Sequence, residues 1–281
     1  MINSTISGPI AVGGIGGSGT RIIARFLQDL GVFIGSDLPV TADTIWYAAL
    51  FGRRDVVLDD PVTQRALVDL FFEQMGHARV LTPDENAMLT EICRQPRHQH
   101  NPPMIDKWMT SFIAHTNSDQ THDVWGWKVP YTHVLIDRLL AGYPDLKYIH
   151  ITRNGLDMAF NKNQNQLGKW GPLYLSRNVE LTPRDSLAYW CAVHRRMERI
   201  TALFPTRIFH LDYDRLISDP RPELAAMFDF LGAGLDDAAL DDFAREIFVP
   251  ESVKQRKAPD LSLFDPADLE YLQAQSKGVP A

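Results

Sequence analysis

A chain of 281 residues, 45% hydrophobic and 22% charged, is long enough for one well-cored domain and too mixed in composition for a disordered or fibrous protein. The formal net charge of −7 excludes nucleic-acid binding by overall electrostatics, and no apolar run approaches the length of a membrane span. Cys93 and Cys191 match no metal or redox spacing and read as buried thiols. With no basic stretch ahead of an apolar run at the start, the expected location is cytoplasmic.

The first predicted element carries the most information. Residues 10–12 (Ile-Ala-Val) read as a strand that breaks into Gly13, Gly14, Gly16, Gly17 and Gly19, interleaved with Ile15 and Ser18. A helix opens at Thr20, with Ile22, Ile23, Phe26, Leu27 and Leu30 at helical spacing. Strand, glycine loop and helix N-terminus make an anion cradle, because backbone N–H groups converge where the helix dipole is positive. The expected ligand is a phosphate, held by the backbone amides of residues 16–20. A Walker A loop needs a lysine where Thr20 stands. A dinucleotide fingerprint needs an acid about 20 residues on, and the Gly-Ser-Gly-Thr loop fits that pattern poorly, even with Asp37 and Asp43 nearby.

Residues 31–124 read as short helices over 44–51, 61–75, 83–93 and 106–115, with the proline-rich 94–103 stretch as a loop. Such a segment is where substrate specificity usually sits. Beyond it the pattern alternates. Strands are expected over 124–128, 147–152 and 207–211, and helices over 131–140, from 156, and over 183–203, 221–231, 236–248 and 266–275. Alternation of this kind predicts a parallel sheet with a ligand at the carboxyl ends of the strands. Asn154 is placed to cap the helix that follows Arg153, and Asp157 suits its positive first turn.

Four segments stand in order: the Gly-Ser-Gly-Thr loop; Trp125-Gly126-Trp127-Lys128-Val129-Pro130; Ile151-Thr152-Arg153-Asn154-Gly155-Leu156-Asp157; and Leu211-Asp212-Tyr213-Asp214-Arg215-Leu216 with Ser218-Asp219-Pro220. This order resembles the sulfotransferase family that uses 3′-phosphoadenosine-5′-phosphosulfate (PAPS), above all its bacterial members, with a relation to the Golgi glycan sulfotransferases. The resemblance covers residues 9–30 and 123–232 and leaves the middle unmatched. It implies a single P-loop-like, three-layer α/β/α domain over 1–281 with a central parallel sheet. Residues 36–124 would be a mostly helical, acceptor-recognising insertion. The implied activity is metal-independent transfer of a sulfuryl group from PAPS, leaving PAP, to a hydroxyl or amine. The implied acceptor is a small molecule, glycan or lipid, not a nucleic acid.

Carried over by residue, the resemblance implies that Gly16, Gly17, Ser18, Gly19 and Thr20 hold the 5′-phosphosulfate. Arg153 would pair with the 3′-phosphate, Asn161 would stand where a serine usually touches it, and Tyr213 would lie near the adenine. Arg256 and Lys257 resemble a late basic pair covering the 3′-phosphate, with Ala258 in place of the usual glycine. The chain departs from the family at Gly17, where a lysine or arginine normally reaches the sulfuryl group, and at Ile22, where cytosolic members carry a tryptophan. Lys128 is the expected substitute for the missing cation and Arg21 the second candidate. Of His133, Asp106, Asp43 and His115 as general base, the reading favours His133. The rival readings are a P-loop kinase or nucleotide hydrolase, and a PAP- or PAPS-binding module without turnover.

Overall fold

The computed structural model of the chain describes residues 3–4, 6–248 and 259–277. Four parallel strands form the central sheet: β2 (Ile10–Gly14), β3 (Gly126–Lys128), β4 (Lys147–Thr152) and β5 (Ile208–Asp212), in the order β3-β2-β4-β5. Ile10, Ala11 and Val12 are fully buried because β2 pairs on both edges and is covered on both faces, which explains its unbroken apolar run. A separate two-residue antiparallel ladder joins β1 (Asn3–Ser4) to β6 (Ala233–Gly234).

Alternate strand residues feed two cores. Ala11, Trp127 and Tyr148 face a layer that includes Trp46, Phe71, Phe112 and Trp190. Ile10, Val12, Ile149, Ile151 and Leu211 face the other, with Phe26, Leu224, Phe228 and Phe243. The second layer is built by α1 (Thr20–Asp29), α11 (Pro220–Leu231) and α12 (Asp237–Glu246). The first is built by α2 (Ile45–Phe51), α3 (Pro61–Gly76), α4 (Pro83–Arg94), α5 (Pro102–Thr116), α6 (Ile136–Gly142), α7 (Gly155–Ala159), α8 (Asn165–Leu175), α9 (Pro183–Leu203) and α13 (Pro266–Lys277). The short α10 (Tyr213–Ser218) follows β5 directly. The architecture is a three-layer α/β/α sandwich. Within it the chain leaves β2 toward β3 on one side and later returns to β4 on the other, so a crevice opens at the carboxyl end of β2.

Helix starts follow local chemistry. Asp60 accepts from the amides of Val62 and Thr63 ahead of Pro61, Thr82 and Glu85 form a capping box around Pro83, and Asn101 caps a helix that begins at Pro102. That last cap extends α5 a full turn before the expected start at 106. The expected 131–140 helix divides into a 3-10 turn over Pro130–Val134 and α6. Two helices were not expected, α8 and α10. Gly168, Gly171 and Pro172 make α8 a poor helix by propensity, but Leu167 and Trp170, each 1% exposed, hold it by burial. Cys93 and Cys191 are both free thiols. Among the described residues, no helix is long and apolar enough to cross a membrane.

Candidate active site

The glycine loop sits where β2 ends. Gly19 has φ +97°, and a Cβ there would fall 2.2 Å from the Tyr213 ring, so glycine is required for both conformation and space. Gly17 also has φ +97°, and a Cβ would meet Nδ2 of Asn161 at 2.4 Å. The family cation missing at this position therefore could not be restored without moving Asn161. Gly19 caps α1 with no side-chain hydrogen bond, and α1 has no acid in its first turn, so its positive end is left uncompensated. The amides of Gly16, Gly17, Gly19 and Thr20 donate to no described residue. Ser18 departs from expectation: its N–H donates to the Ile15 carbonyl at 3.0 Å, and its buried hydroxyl has no partner among the described residues.

Around this loop lies a cavity of about 400 Å³. Gly16, Gly17, Gly19 and Thr20 form one wall, and Arg21, Arg25 and Lys128 supply positive charge. Ile22, Leu216, Ile217, Ile247 and Phe248 make an apolar shelf beside Tyr213.

Lys128 ends β3, and its ammonium donates to Oδ1 of Asp43 at 2.5 Å and to the Thr41 carbonyl at 2.6 Å. Its side chain is 1% exposed against 32% for Asp43. Burial pushes the Lys128 ammonium below its ordinary value, and the Asp43 carboxylate partly offsets this. Of the four candidate bases, Asp43 is the one lining this cavity. His133 does not reach it: the residue is fully buried, with Nδ1 against the Tyr174 hydroxyl at 2.7 Å and Nε2 against Gln166 at 3.2 Å. Burial lowers its pKa to about 3, and the earlier preference for His133 is corrected on that geometry. His115 is buried against the Gln74 carbonyl, and Asp106 lines a different cavity.

Arg153 follows β4 and turns back over the loop. Its Nη1 donates to the Gly17 carbonyl at 3.0 Å, Nη2 lies 3.6 Å from Asp157, and the guanidinium stands 5.3 Å from the Tyr213 ring centre. Its Nε is buried without a partner among the described residues. The backbone at this turn is fixed by the Asn154 side chain, which caps α7, and by the Asn154 N–H donating to Asp214 at 2.7 Å. The structure thus gathers Gly16, Gly17, Gly19, Thr20, Arg21, Lys128, Arg153, Asn161 and Tyr213 about one crevice. Arg256 and Lys257 lie outside the described residues.

Sequence reasoning missed four contributors. Arg25 stands one turn beyond Arg21 on the same helix face, which the spacing could have shown. Asn163 and Gln166 flank Gly16, and Gln166 donates to the Gly14 carbonyl at 3.4 Å. Neither has a readable signal, because both depend on how α8 packs. Phe248 completes the apolar shelf.

Among known proteins, an uncharacterized protein of Aquifex aeolicus (strain VF5) is 29% identical over 116 residues, 41% of this chain but 15% of that protein. The match therefore spans a small part of the curated relative. Among solved structures, the sulfotransferase STF9 of Mycobacterium avium shares 16% identity over 97% of this chain and 76% of its own, with a TM-score of 0.45. A sulfotransferase of Alicyclobacillus acidocaldarius shares 16% identity over 98% of both chains, with a TM-score of 0.46. The model of the Sulfotransferase family matches residues 9–237, which takes in the glycine loop, all four strands of the sheet and the helical segment between β2 and β3, and the chain belongs to that family.

Proposed function

We propose that the protein transfers a sulfuryl group from PAPS to an acceptor hydroxyl at the glycine-loop cavity. The observation that carries this reading is the convergence on that loop of Lys128, Arg153 and Tyr213, from three separate strand ends. The residues suit a 3′-phosphorylated nucleotide. Free amides of Gly16, Gly17, Gly19 and Thr20 at the α1 N-terminus would carry the 5′-phosphate. The unsatisfied Nε of Arg153 would meet the 3′-phosphate, with Asn161 beside it, and the Ile22–Ile217–Phe248 shelf would take the adenine in place of the absent tryptophan. Arg256 and Lys257 are proposed to close over the 3′-phosphate.

Sulfuryl transfer resembles phosphoryl transfer, with a loose in-line transition state that places charge on the equatorial and leaving oxygens. The acceptor oxygen attacks sulfur, the bond from sulfur to the bridging phosphate oxygen breaks, and PAP departs. Lys128 would stabilise the charge on the leaving side, with Arg21 adding to the field. Asp43, held by Lys128 and open to the cavity, would take the acceptor's proton and pass it to solvent. The segment spanning α2–α5 is proposed to recognise the acceptor.

Asp43→Asn should lower the rate of labelled sulfate transfer by on the order of 10²–10³-fold, with PAP affinity no weaker than in the parent. A near-normal rate would remove Asp43 from the proton's path. The second reading, a nucleotide-binding module without turnover, draws on Gly17, where the family carries a cation. Transfer of sulfate from PAPS to any acceptor would exclude it.

A further inference from the structure

A second cavity, of about 860 Å³, lies between α4 and α5, away from the glycine loop. Its size is within the range of small-molecule sites. Buried Leu89, Ile105 and Met109 make its apolar floor. Its charged lining is Arg94, Arg97 and a single acid, Asp106, with His100 kept neutral by burial down to about 4.

Arg97 is the unusual group. Its Nη2 donates to the Ile92 carbonyl at 3.0 Å, while Nε and Nη1 are buried with no partner among the described residues. Behind it stands Lys169 of α8, 2% exposed, donating to the Gly52 carbonyl at 2.5 Å and lying over the rings of Tyr131 and Trp170. Neither cation forms an ion pair with a described carboxylate. Burial, then the charges of Arg97 and Arg54, push Lys169 down to about 7. Arg97, with two unpartnered N–H donors and no ion pair to a described carboxylate, together with the part of its charge that buried Lys169 keeps near neutral pH, creates positive potential that an anion would relieve.

The cavity is also tied to the reaction site. Gln99 donates to the Asn165 carbonyl at 2.5 Å, and Arg54 bridges His98 at 3.2 Å to the Lys169 carbonyl at 2.9 Å. These contacts fasten the Arg97 loop to α8, whose Gln166 reaches the glycine loop at Gly14. The helix α8 thus contacts both the Arg97 loop and the glycine loop.

We propose that this cavity binds an amphiphilic oxyanion, its apolar body along Leu89, Ile105 and Met109 and its carboxylate or phosphate on Arg97. The binding does not depend on the transferase reading.

Titration calorimetry with decanoate, decyl phosphate and neutral decanol tests it. At least one of the two anions should bind about tenfold or more tightly than decanol, and the better one identifies the head group. Arg97→Met should weaken that anion about tenfold or more while leaving PAP affinity unchanged. Thr110→Trp, at an exposed position of the lining, should block binding by filling the cavity and keeps the test independent of how Arg97→Met folds. Anions binding no tighter than decanol, or unaffected by both substitutions, would overturn the proposal. Anion binding lost while PAP still binds leaves the transferase reading standing; anion binding without PAP binding supports the cavity and removes that reading.

Discussion

Lys128→Ala should lower kcat for sulfuryl transfer by at least about a hundredfold while changing nucleotide affinity little. The size follows from the site's composition. Position 17, the family's usual cation, is a glycine pressed against Asn161, so the loop itself brings no side-chain charge to the sulfuryl group. Lys128 is the buried cation lining the cavity, and a charge fixed in a shielded site acts on a transition state far more strongly than one in water. The same substitution strips Asp43 of its partner and frees it to move, so orientation of the base is lost with the charge. A stability cost also follows, because removing one member of a largely buried ion pair leaves the other unpaired. Asp43 keeps a third of its surface in water, which moderates that cost. Melting temperature measured beside kcat separates the two effects. A folded Lys128→Ala protein with near-normal kcat would transfer the role to Arg21 and the loop amides.

Acid should destabilise the protein steeply as pH falls below about 6.5. His150 of β4, His133 of the 3-10 turn and His194 of α9 are buried together, with rings 6.3 and 5.4 Å from that of His150. Each has a neutral-state partner: the Tyr148 hydroxyl at 2.9 Å for His150, Tyr174 and Gln166 for His133, and the Trp190 carbonyl at 2.7 Å for His194. Nε2 of His150 and of His194 is buried with no partner among the described residues, and no described carboxylate accepts a hydrogen bond from any of the three rings. Burial is the chief cause that lowers His133 to about 3, His194 to about 4 and His150 well below its ordinary range.

The sign follows directly. The folded protein keeps these rings neutral, while the unfolded chain takes protons below about pH 6.5. Their contribution is complete above pH 6.5 and is lost as pH falls toward the folded values. At pH 5 each ring costs about 2 kcal/mol, or about 6 for three, against total stabilities of about 5–15 kcal/mol. Urea midpoints measured from pH 7.5 to 5 should fall steeply. A midpoint constant over that range would contradict the account.

The sheet and the loop were legible because their signals are local. The apolar run at Ile10 to Val12, the glycines after it and the arginine after Thr152 each depend on near neighbours in sequence. Burial across layers has no such signature. His133 stands five residues past Lys128 and looks available, but the packing of α8 and α9 seals it beneath Tyr174 and Gln166. Asp43 shows the converse. In sequence it is one of four candidate bases with nothing to prefer it, and the pairing of β2 with β3 brings Lys128 onto it. Of the expected 94–103 loop only 95–101 is a loop, because Arg94 ends α4 and the Asn101 cap starts α5 at Pro102; the partial enclosure of Arg97 within it is set by the packing of the neighbouring helices.

The most direct test of the central claim is the order in which nucleotides stabilise the protein. The proposed site needs a 3′-phosphate, which ATP, GTP and ADP lack, and Arg153 is its chief anchor. A charge-assisted contact to a phosphate is worth about 1.5–3 kcal/mol, and two such contacts give at least about a hundredfold in affinity. Ligand binding raises melting temperature by mass action, so a thermal-shift series at matched concentrations reads the ranking. PAP should give the largest shift, well above ADP and ATP, and Arg153→Ala should erase most of the difference without unfolding the protein. An equal shift from ATP or GTP in the parent protein would contradict the sulfotransferase account and return the loop to a general nucleotide phosphate site.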